Sequence, residues 1–469
     1  MPPADIPFMP PESKTQSPEH ESLRALVEEE KREFTPPASR NSRLALAFRA
    51  LRHRNFQLFF TGQLISLIGT WMQTVAQSWL VYRMTGSAFL LGAVGFAGQI
   101  PVFIIAPIGG IVADRNNRQR VVVGTQTASM ILAAILAALT LSHRVEVWHI
   151  MVLAALLGVV NAFDIPARQA FLIDMVGRGD LMNAIALNSS MFNGARIIGP
   201  AIAGILVASI GEGWCFFANA VSYIAVIAGL MLMRITHPAN LATAGSPLEN
   251  ILEGFSFARN TGPIRAILLL LGVVSFVGMP YAVLMPVFAD QILHGGARAL
   301  GILMGATGVG ALLGAASLAA RVGVQGLGKL IALCAGGFGI SLIFFAFSRI
   351  FWLSTLLLLP VGFFMMVQMA SSNTLIQAMV PDQLRGRILA VYSMMFMGMA
   401  PFGALSAGAA AHHLGAPWTV ALGGIACIAS AILFGTHMPK IRREARELVL
   451  AQGMTSGVPA EGTTSRGLS

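Results

Sequence analysis

Long apolar runs recur from Phe56 to Met438, each near the length a helix needs to cross a bilayer, and short polar breaks separate them. A helix covers the hydrocarbon core in about 20 residues. Lipid offers the backbone no partners, so each run must satisfy its own N–H and C=O groups as a helix. A closed barrel would show alternation over segments of about 10 residues, and this chain does not. Only 11% of the residues are charged and 55% are apolar, against about a quarter charged in a soluble domain. The spans are read at 57–82, 88–112, 121–142, 148–164, 184–210 and 214–234, then at 264–289, 299–320, 329–347, 351–374, 388–411 and 417–438. The expected fold class is an all-α membrane protein with about twelve transmembrane helices.

The formal charge of +10 could suggest a nucleic-acid partner, but its distribution points to topology. Arg40, Arg43, Arg49, Arg52 and Arg54 precede the first span, and Arg115, Arg118 and Arg120 fill the second break. Arg385, Arg387, Lys440, Arg442, Arg443 and Arg446 fall on the same side, leaving Arg83, Arg144, Arg298 and Arg349 opposite. This positive-inside bias predicts a multi-pass protein of a bacterial inner membrane with both termini cytoplasmic. Residues 1–40 lack an apolar h-region, so no signal peptide is expected. Their Pro, Glu, Ser and Lys content reads as a mostly disordered tail. The three cysteines, Cys215, Cys334 and Cys427, have no metal-ligand spacing and read as small core residues.

The longest internal break, 235–263, divides the chain. Within it, Leu248, Ile251, Leu252 and Phe255 recur at helical spacing among Glu249, Glu253 and Arg259, which predicts an interfacial helix. The predicted organisation is a tail (1–46), a six-helix half (47–234), a linker (235–263), a second six-helix half (264–438) and a second tail (439–469). A weak repeat relates the halves: Leu172-Ile173 with Gly199-Pro200 resembles Leu375-Ile376 with Ala400-Pro401, at offsets of about 201 to 203 residues. Parallel halves facing one cavity are the geometry of an alternating-access carrier. Gly301 with Gly305, and Gly310 with Gly314, form small-xxx-small pairs that permit close helix approach.

In the first span Gln63, Ser66, Thr70, Gln73 and Gln77 fall on one helix face. Such a stripe faces the bundle interior or water, as interhelical hydrogen bonding or as the wall of a substrate cavity. Trp71, Trp79 and Tyr82 can add apolar or cation–π contacts. The break after the second span reads Gly110-Ile111-Val112-Ala113-Asp114-Arg115-Asn116-Asn117-Arg118-Gln119-Arg120. Asp114 can accept hydrogen bonds from an arginine or sit at a helix N-terminus. This loop resembles the signature loop of the major facilitator superfamily, matching at Gly110, Asp114, Arg115 and Arg118. Asn117 stands where the family has a glycine, and asparagine tolerates the left-handed conformation that such a turn uses. The resemblance implies two pseudo-symmetric six-helix halves and a cytoplasmic gate at Gly110, Asp114, Arg115 and Arg118.

In the fifth span, Gly199, Pro200 and Gly204 resemble the helix-bending antiporter motif of drug:proton exporters, with Ala195 and Ala203 at two of its glycine positions. Arg196, near mid-span, costs about 2.5–3.5 kcal/mol on the insertion scale. It therefore faces inward, either binding an anionic group, controlling a proton site, or pairing with Asp164 or backbone carbonyls. Arg54-Asn55-Phe56, Phe59-Phe60, Gly62-Gln63 and the segment Asn161–Ala170 resemble the branch of the superfamily that contains the enterobactin exporter. That resemblance implies proton-driven export of siderophores, drugs and other amphipathic molecules. The span sequences place no acid deep in any helix, Asp164 and Asp290 lying near helix ends. Methionines 365, 366, 369, 394, 395, 397 and 399 read as helix packing or as a promiscuous surface.

No Gly-x-x-x-x-Gly-Lys-Ser/Thr pattern is present, since Gly328-Lys329 is followed by Leu330. The nine histidines show no zinc-site spacing with Glu. The chain is therefore read as a non-enzymatic, monomeric exporter without cofactor or metal, with lipid, a small-molecule substrate and protons as partners and no nucleic acid. An uptake symporter, a lipid flippase and a non-transporting sensor or scaffold are the alternatives.

Overall fold

The computed structural model describes residues 48–234, 247–321, 323–439 and 443–444. The chain divides into two units, Met1–Arg49 and Ala50–Ser469. Of the first, only Phe48 and Arg49 are described; every helix below belongs to the second. The expected tail 1–46, linker residues 235–246 and most of the tail 439–469 lie outside the described residues, as do Arg40, Arg43, Lys440, Arg442 and Arg446.

The first half opens with α1 (Arg54–Thr85), α2 (Ala88–Arg115) and α3 (Arg118–Leu141). A helical run of 64 residues follows, Val147–Ile210. It breaks at Gly177, where φ is 71°, a value that costs a glycine no Cβ clash. The run is thus two spans, α4 (147–176) and α5 (178–210), and α6 (Glu212–Met231) completes the half. The turn between α1 and α2 follows from its residues. Gly86 ends α1 at φ 61° and donates its N–H to Tyr82, and Ser87 caps α2 by accepting from the Leu90 N–H.

α7 (Pro247–Asn260) is the linker helix expected at 248–259. Its Leu252 and Phe255 are exposed, while Glu253 pairs with Arg387 of the second half. That half comprises α8 (Gly262–Ile292), α9 (Gly296–Ala319), α10 (Leu327–Phe347), α11 (Phe351–Met379), α12 (Asp382–Leu414) and α13 (Ala416–Thr436). α8 is irregular, with π turns at Val274–Gly278 and Phe288–Ile292 around a 3-10 turn at Met279–Ala282. Ten described helices are long and apolar enough to cross a membrane, with Val147–Ile210 taken as one. α1 is not among them because its Gln, Ser and Thr residues dilute its apolar content. All the predicted spans fall on these helices, and no described residue forms a strand.

The halves repeat one packing plan. α1 packs on α6, α2 on α4 and α3 on α6; in the second half α8 packs on α13, α9 on α11 and α10 on α13. Between halves, α2 meets α12 and α5 meets α9, two contacts that the pseudo-two-fold exchanges. The glycine pairs of α9 split between neighbours. Gly310 and Gly314 lie against α11 at Leu359 and Phe363, whereas Gly301 faces α5, where a Cβ would stand 2.5 Å from the Pro200 carbonyl oxygen.

The inter-half contacts gather at the end holding Ala88, Ile210, Gly296 and Leu414. There Gly204 lies against Gly301, and Gly408 against Ala88 and Phe89. At the other end, which holds the Asp114–Arg120 loop, Gly110 on α2, Gly179 on α5 and Gly386 on α12 have nothing within 4 Å of where a Cβ would stand. The close contacts between the two sets of six helices thus lie away from the end that holds the basic loops.

Candidate functional site

The polar stripe of α1 turns mainly into its own half. Gln63, Ser66 and Gln73 are 2%, 1% and 7% exposed, less than an open cavity wall allows. Gln73 accepts from Asn219 Nδ2 of α6 at 2.6 Å, Thr70 Oγ1 lies 3.4 Å from the Tyr223 hydroxyl, and Ser222 completes the layer on Asn219. Gly69 allows this approach, since a Cβ there would stand 2.5 Å from Asn219 and Ser222 side-chain atoms. Only Thr70 and Gln77 of the stripe are partly exposed. Interhelical hydrogen bonding is thus what Gln73 and Thr70 do in this conformation.

Behind this layer lies a buried acid. α4 extends twelve residues beyond the predicted span end at 164, so Asp164 is an interior residue, with 5% of its side chain exposed. The expectation that no acid lies deep in a span is corrected. Asp164 Oδ1 accepts from Thr125 Oγ1 and Gln126 Nε2 of α3, both at 2.9 Å, and Oδ2 lies 3.3 Å from Arg168 Nη2. The sequence signal was available in the polar spacing of Thr125, Gln126 and Ser129 on α3 and of Asn219, Ser222 and Tyr223 on α6. Hydropathy does not mark it, because α4 continues as a helix beyond its most apolar stretch.

The loop between α2 and α3 is locked inside its own half. Arg118 Nη1 donates to Asp174 Oδ1 at 3.1 Å and to the Ala170 carbonyl at 3.2 Å. Asp114, half-exposed, lies 3.8 Å from Arg118 Nη2, while Arg115 is exposed and Gly110 borders open space. Asn117 corrects an expectation. Its φ is −64°, extended rather than left-handed, and its side chain caps α3 by accepting from the Arg120 N–H at 3.1 Å. Asparagine serves here as an N-cap, which needs a side-chain oxygen and no positive φ. Gln119 donates to the Leu230 carbonyl at the end of α6.

In α5 the backbone stays helical through Gly199 and Pro200; Gly177 is the non-helical position in the run. The motif works by close approach. Gly199 meets Trp71 and Ile68 of α1, and Gly204 meets Gly301 of α9 across the boundary between halves. Arg196 sits one turn before Gly199, its Cζ 5.8 Å from the Trp71 ring centre. Asp164, one candidate partner, pairs with Arg168 instead.

The second half lacks such a network among the described residues. On α11, Gln368, Ser371 and Ser372 are buried, and their side-chain polar atoms have no hydrogen-bond partner there. Met365 is buried, Met395 packs on Gly272 and Met397 is exposed. The three cysteines are buried and unpaired.

Similarity to known proteins agrees with this architecture. The chain is 28% identical over 379 residues to the staphyloferrin A transporter of Staphylococcus aureus, covering 80% of this chain and 94% of that one. It is 25% identical over 338 residues to the enterobactin exporter EntS of Shigella boydii, covering 72% and 80%. Among solved structures, the nucleoside transporter NupG superposes with a TM-score of 0.64 at 15% identity, over 82% of this chain and 98% of that one. The family described as transmembrane secretion effector matches residues 45–455, and the chain belongs to that family of major facilitator transporters.

Proposed function

We propose that this transporter exports small amphipathic organic molecules, of siderophore or drug type, as a monomer in a bacterial inner membrane with both termini cytoplasmic. The observation that carries the reading is where the halves touch, Gly204 meeting Gly301 and Gly408 meeting Ala88 at the end opposite the basic loops, which we read as a cleft between the halves that opens toward those loops. By the positive-inside rule that end is cytoplasmic, so the cleft in this conformation collects its substrate from the cell interior. The relatives include an exporter by name, which supports the direction. Gln77, Trp71 and Arg196 face the substrate path, with the rest of the α1 stripe bracing it from behind. Gly110, Asp114, Arg115 and Arg118 form the cytoplasmic gate, which closes as the opposite end parts.

Proton coupling is assigned to Asp164. It is a buried acid whose charge is held by Arg168 and two neutral donors, and protonation would release Arg168 and reorganise α3 against α4. Export is tested by comparing metabolites inside and outside a deletion strain and its complemented twin, with and without iron limitation. A compound retained by the deletion strain and released on complementation establishes export; one depleted inside the deletion strain establishes uptake instead. Asp164→Asn keeps the side chain's shape and removes its charge. Efflux by this variant in energised vesicles is expected to lose its dependence on the proton gradient; a wild-type dependence removes Asp164 from the coupling route.

A further inference from the structure

Arg196 is a charge without a counter-charge. Among the described residues it makes no ion pair and no hydrogen bond, while the acids of the same half are engaged elsewhere. Asp164 holds Arg168, Asp174 holds Arg118, Asp180 holds His53 and Glu212 holds Arg83. An arginine at mid-span is expensive unless water, a partner or a ligand meets it, and Arg196 is only partly covered. Its Cζ lies over the Trp71 ring, 5.8 Å from the centre, and that ring packs edge-on against Phe192 at 5.6 Å. A cation–π contact of this kind draws the guanidinium to the ring without using its N–H donors.

Its position is central. The Arg196 main chain lies against Gly308 of α9. It thus stands where α5 of the first half meets α9 of the second. An oriented guanidinium with free donors, beside an aromatic wall, matches a planar oxyanion carried on an apolar body, because a carboxylate accepts the fork through two parallel hydrogen bonds. We propose that Arg196, with Trp71 and Phe192, is the recognition site for a carboxylate on the transported molecule. This rests on the reading of the cleft as a transport path and specifies its substrate class as organic carboxylates.

The test uses full-length protein in phosphatidylcholine nanodiscs, with N-dansyl-phenylalanine and its methyl ester as probes that differ only in the carboxylate. Wild type is expected to bind the acid at least tenfold more tightly than the ester. Arg196→Gln should abolish that preference, weakening the acid at least tenfold more than it weakens the ester, Arg196→Lys should keep part of it, and Trp71→Leu should weaken it severalfold. Melting curves of each variant identify any that fail to fold, and Trp71→Leu carries the test if Arg196→Gln does. Equal binding of acid and ester by wild type, or an undiminished preference in Arg196→Gln, overturns the proposal. Adding phosphatidylglycerol distinguishes a lipid occupant: if it displaces the acid from wild type, the site takes an anionic headgroup and the substrate assignment is wrong. Export is scored separately in the deletion strain. A strain complemented by Arg196→Gln that releases the compound at the wild-type rate removes the carboxylate site and leaves export standing. No release even with wild type removes the export reading itself.

Discussion

α4 and α11 hold matching places in the two halves, each packed against a neighbour that lets it come close: Gly98 and Gly109 on α2, Gly310 and Gly314 on α9. Their centres differ. The offset that carries Leu172-Ile173 onto Leu375-Ile376 carries Arg168 onto Ser371 and Ile165 onto Gln368. On α4 an ion pair with two further donors holds both carboxylate oxygens of Asp164, although Gln126 Oε1 has no partner among the described residues. On α11 the corresponding groups are neutral, buried and without partners among the described residues. A buried charge must be paired or the fold fails, whereas an orphaned amide or hydroxyl costs about 1–3 kcal/mol and can be tolerated. One scaffold thus supports two regimes. The first half is cross-linked by polar groups from α1, α3, α4 and α6, and the second is held by apolar packing around an α8 whose hydrogen-bond ladder changes register twice.

The largest expected effect comes from removing the acid. Asp164→Ala leaves Arg168, whose side chain is 21% exposed, without its partner and takes the acceptor from Thr125 and Gln126; loss of one partner from a fully buried pair costs about 3–5 kcal/mol, and this partly solvated pair should lose less than that. The same operation on α11 should have the opposite sign. Gln368→Leu deletes a buried amide with no partner, and the expected change is neutral to stabilising by about 1 kcal/mol. Thermal unfolding of both variants in one detergent measures the pair. If Gln368→Leu destabilises as much as Asp164→Ala, then α11 has bonding partners and the two halves are alike.

A smaller effect is expected where the halves touch. Gly301→Leu must push α5 from α9, because a Cβ alone would stand 2.5 Å from the Pro200 oxygen; overpacking of this kind costs about 1–3 kcal/mol. The strain falls on the contact that closes one end of the cleft, so the population shifts toward a conformation open there. Spin labels at Ser87 and His413, at the far ends of α2 and α12, should report a longer distance. Gly310→Leu crowds α9 against α11 within one half and should lower stability without lengthening that distance. Equal distances in the two variants would place the hinge elsewhere than at the α5–α9 contact.

Much of this architecture was legible because lipid imposes one rule on every span, and hydropathy reports it directly. The α1–α2 turn and the α7 helix were readable from Gly86, Ser87 and the spacing of Leu252 and Phe255. The site was harder to read. A polar stripe such as Gln63, Ser66 and Gln73 has the same spacing whether it faces substrate or a neighbouring helix, and only the position of Asn219 and Tyr223 on α6 decides. Asp164 was misplaced because α4 continues helically beyond its most apolar stretch, and hydropathy does not mark where a helix ends. Asn117 was given a backbone role when its side chain performs the cap. The pairing of Arg168, rather than Arg196, with Asp164 depends on helix rotation, which a linear sequence does not display.

The smallest effect on stability, and the clearest separation of folding from function, is expected at the gate. Asp114 is more than half exposed and lies 3.8 Å from Arg118, a distance at which an exposed pair contributes about 0–1 kcal/mol. Arg118 keeps Asp174 and the Ala170 carbonyl when Asp114 is neutralised. Asp114→Asn should therefore melt within about 0.5 kcal/mol of wild type and bind substrate normally. If Asp114 finds its second partner only when the cytoplasmic end closes, the variant cannot favour that state, and the transport rate should fall severalfold while binding affinity holds. Arg118→Ala, which strips Asp174 and an α4 carbonyl at once, should lose both stability and rate. A transport rate unchanged in Asp114→Asn would show that this end closes without it, leaving Arg118 as a brace of the first half and the loop as a structural joint.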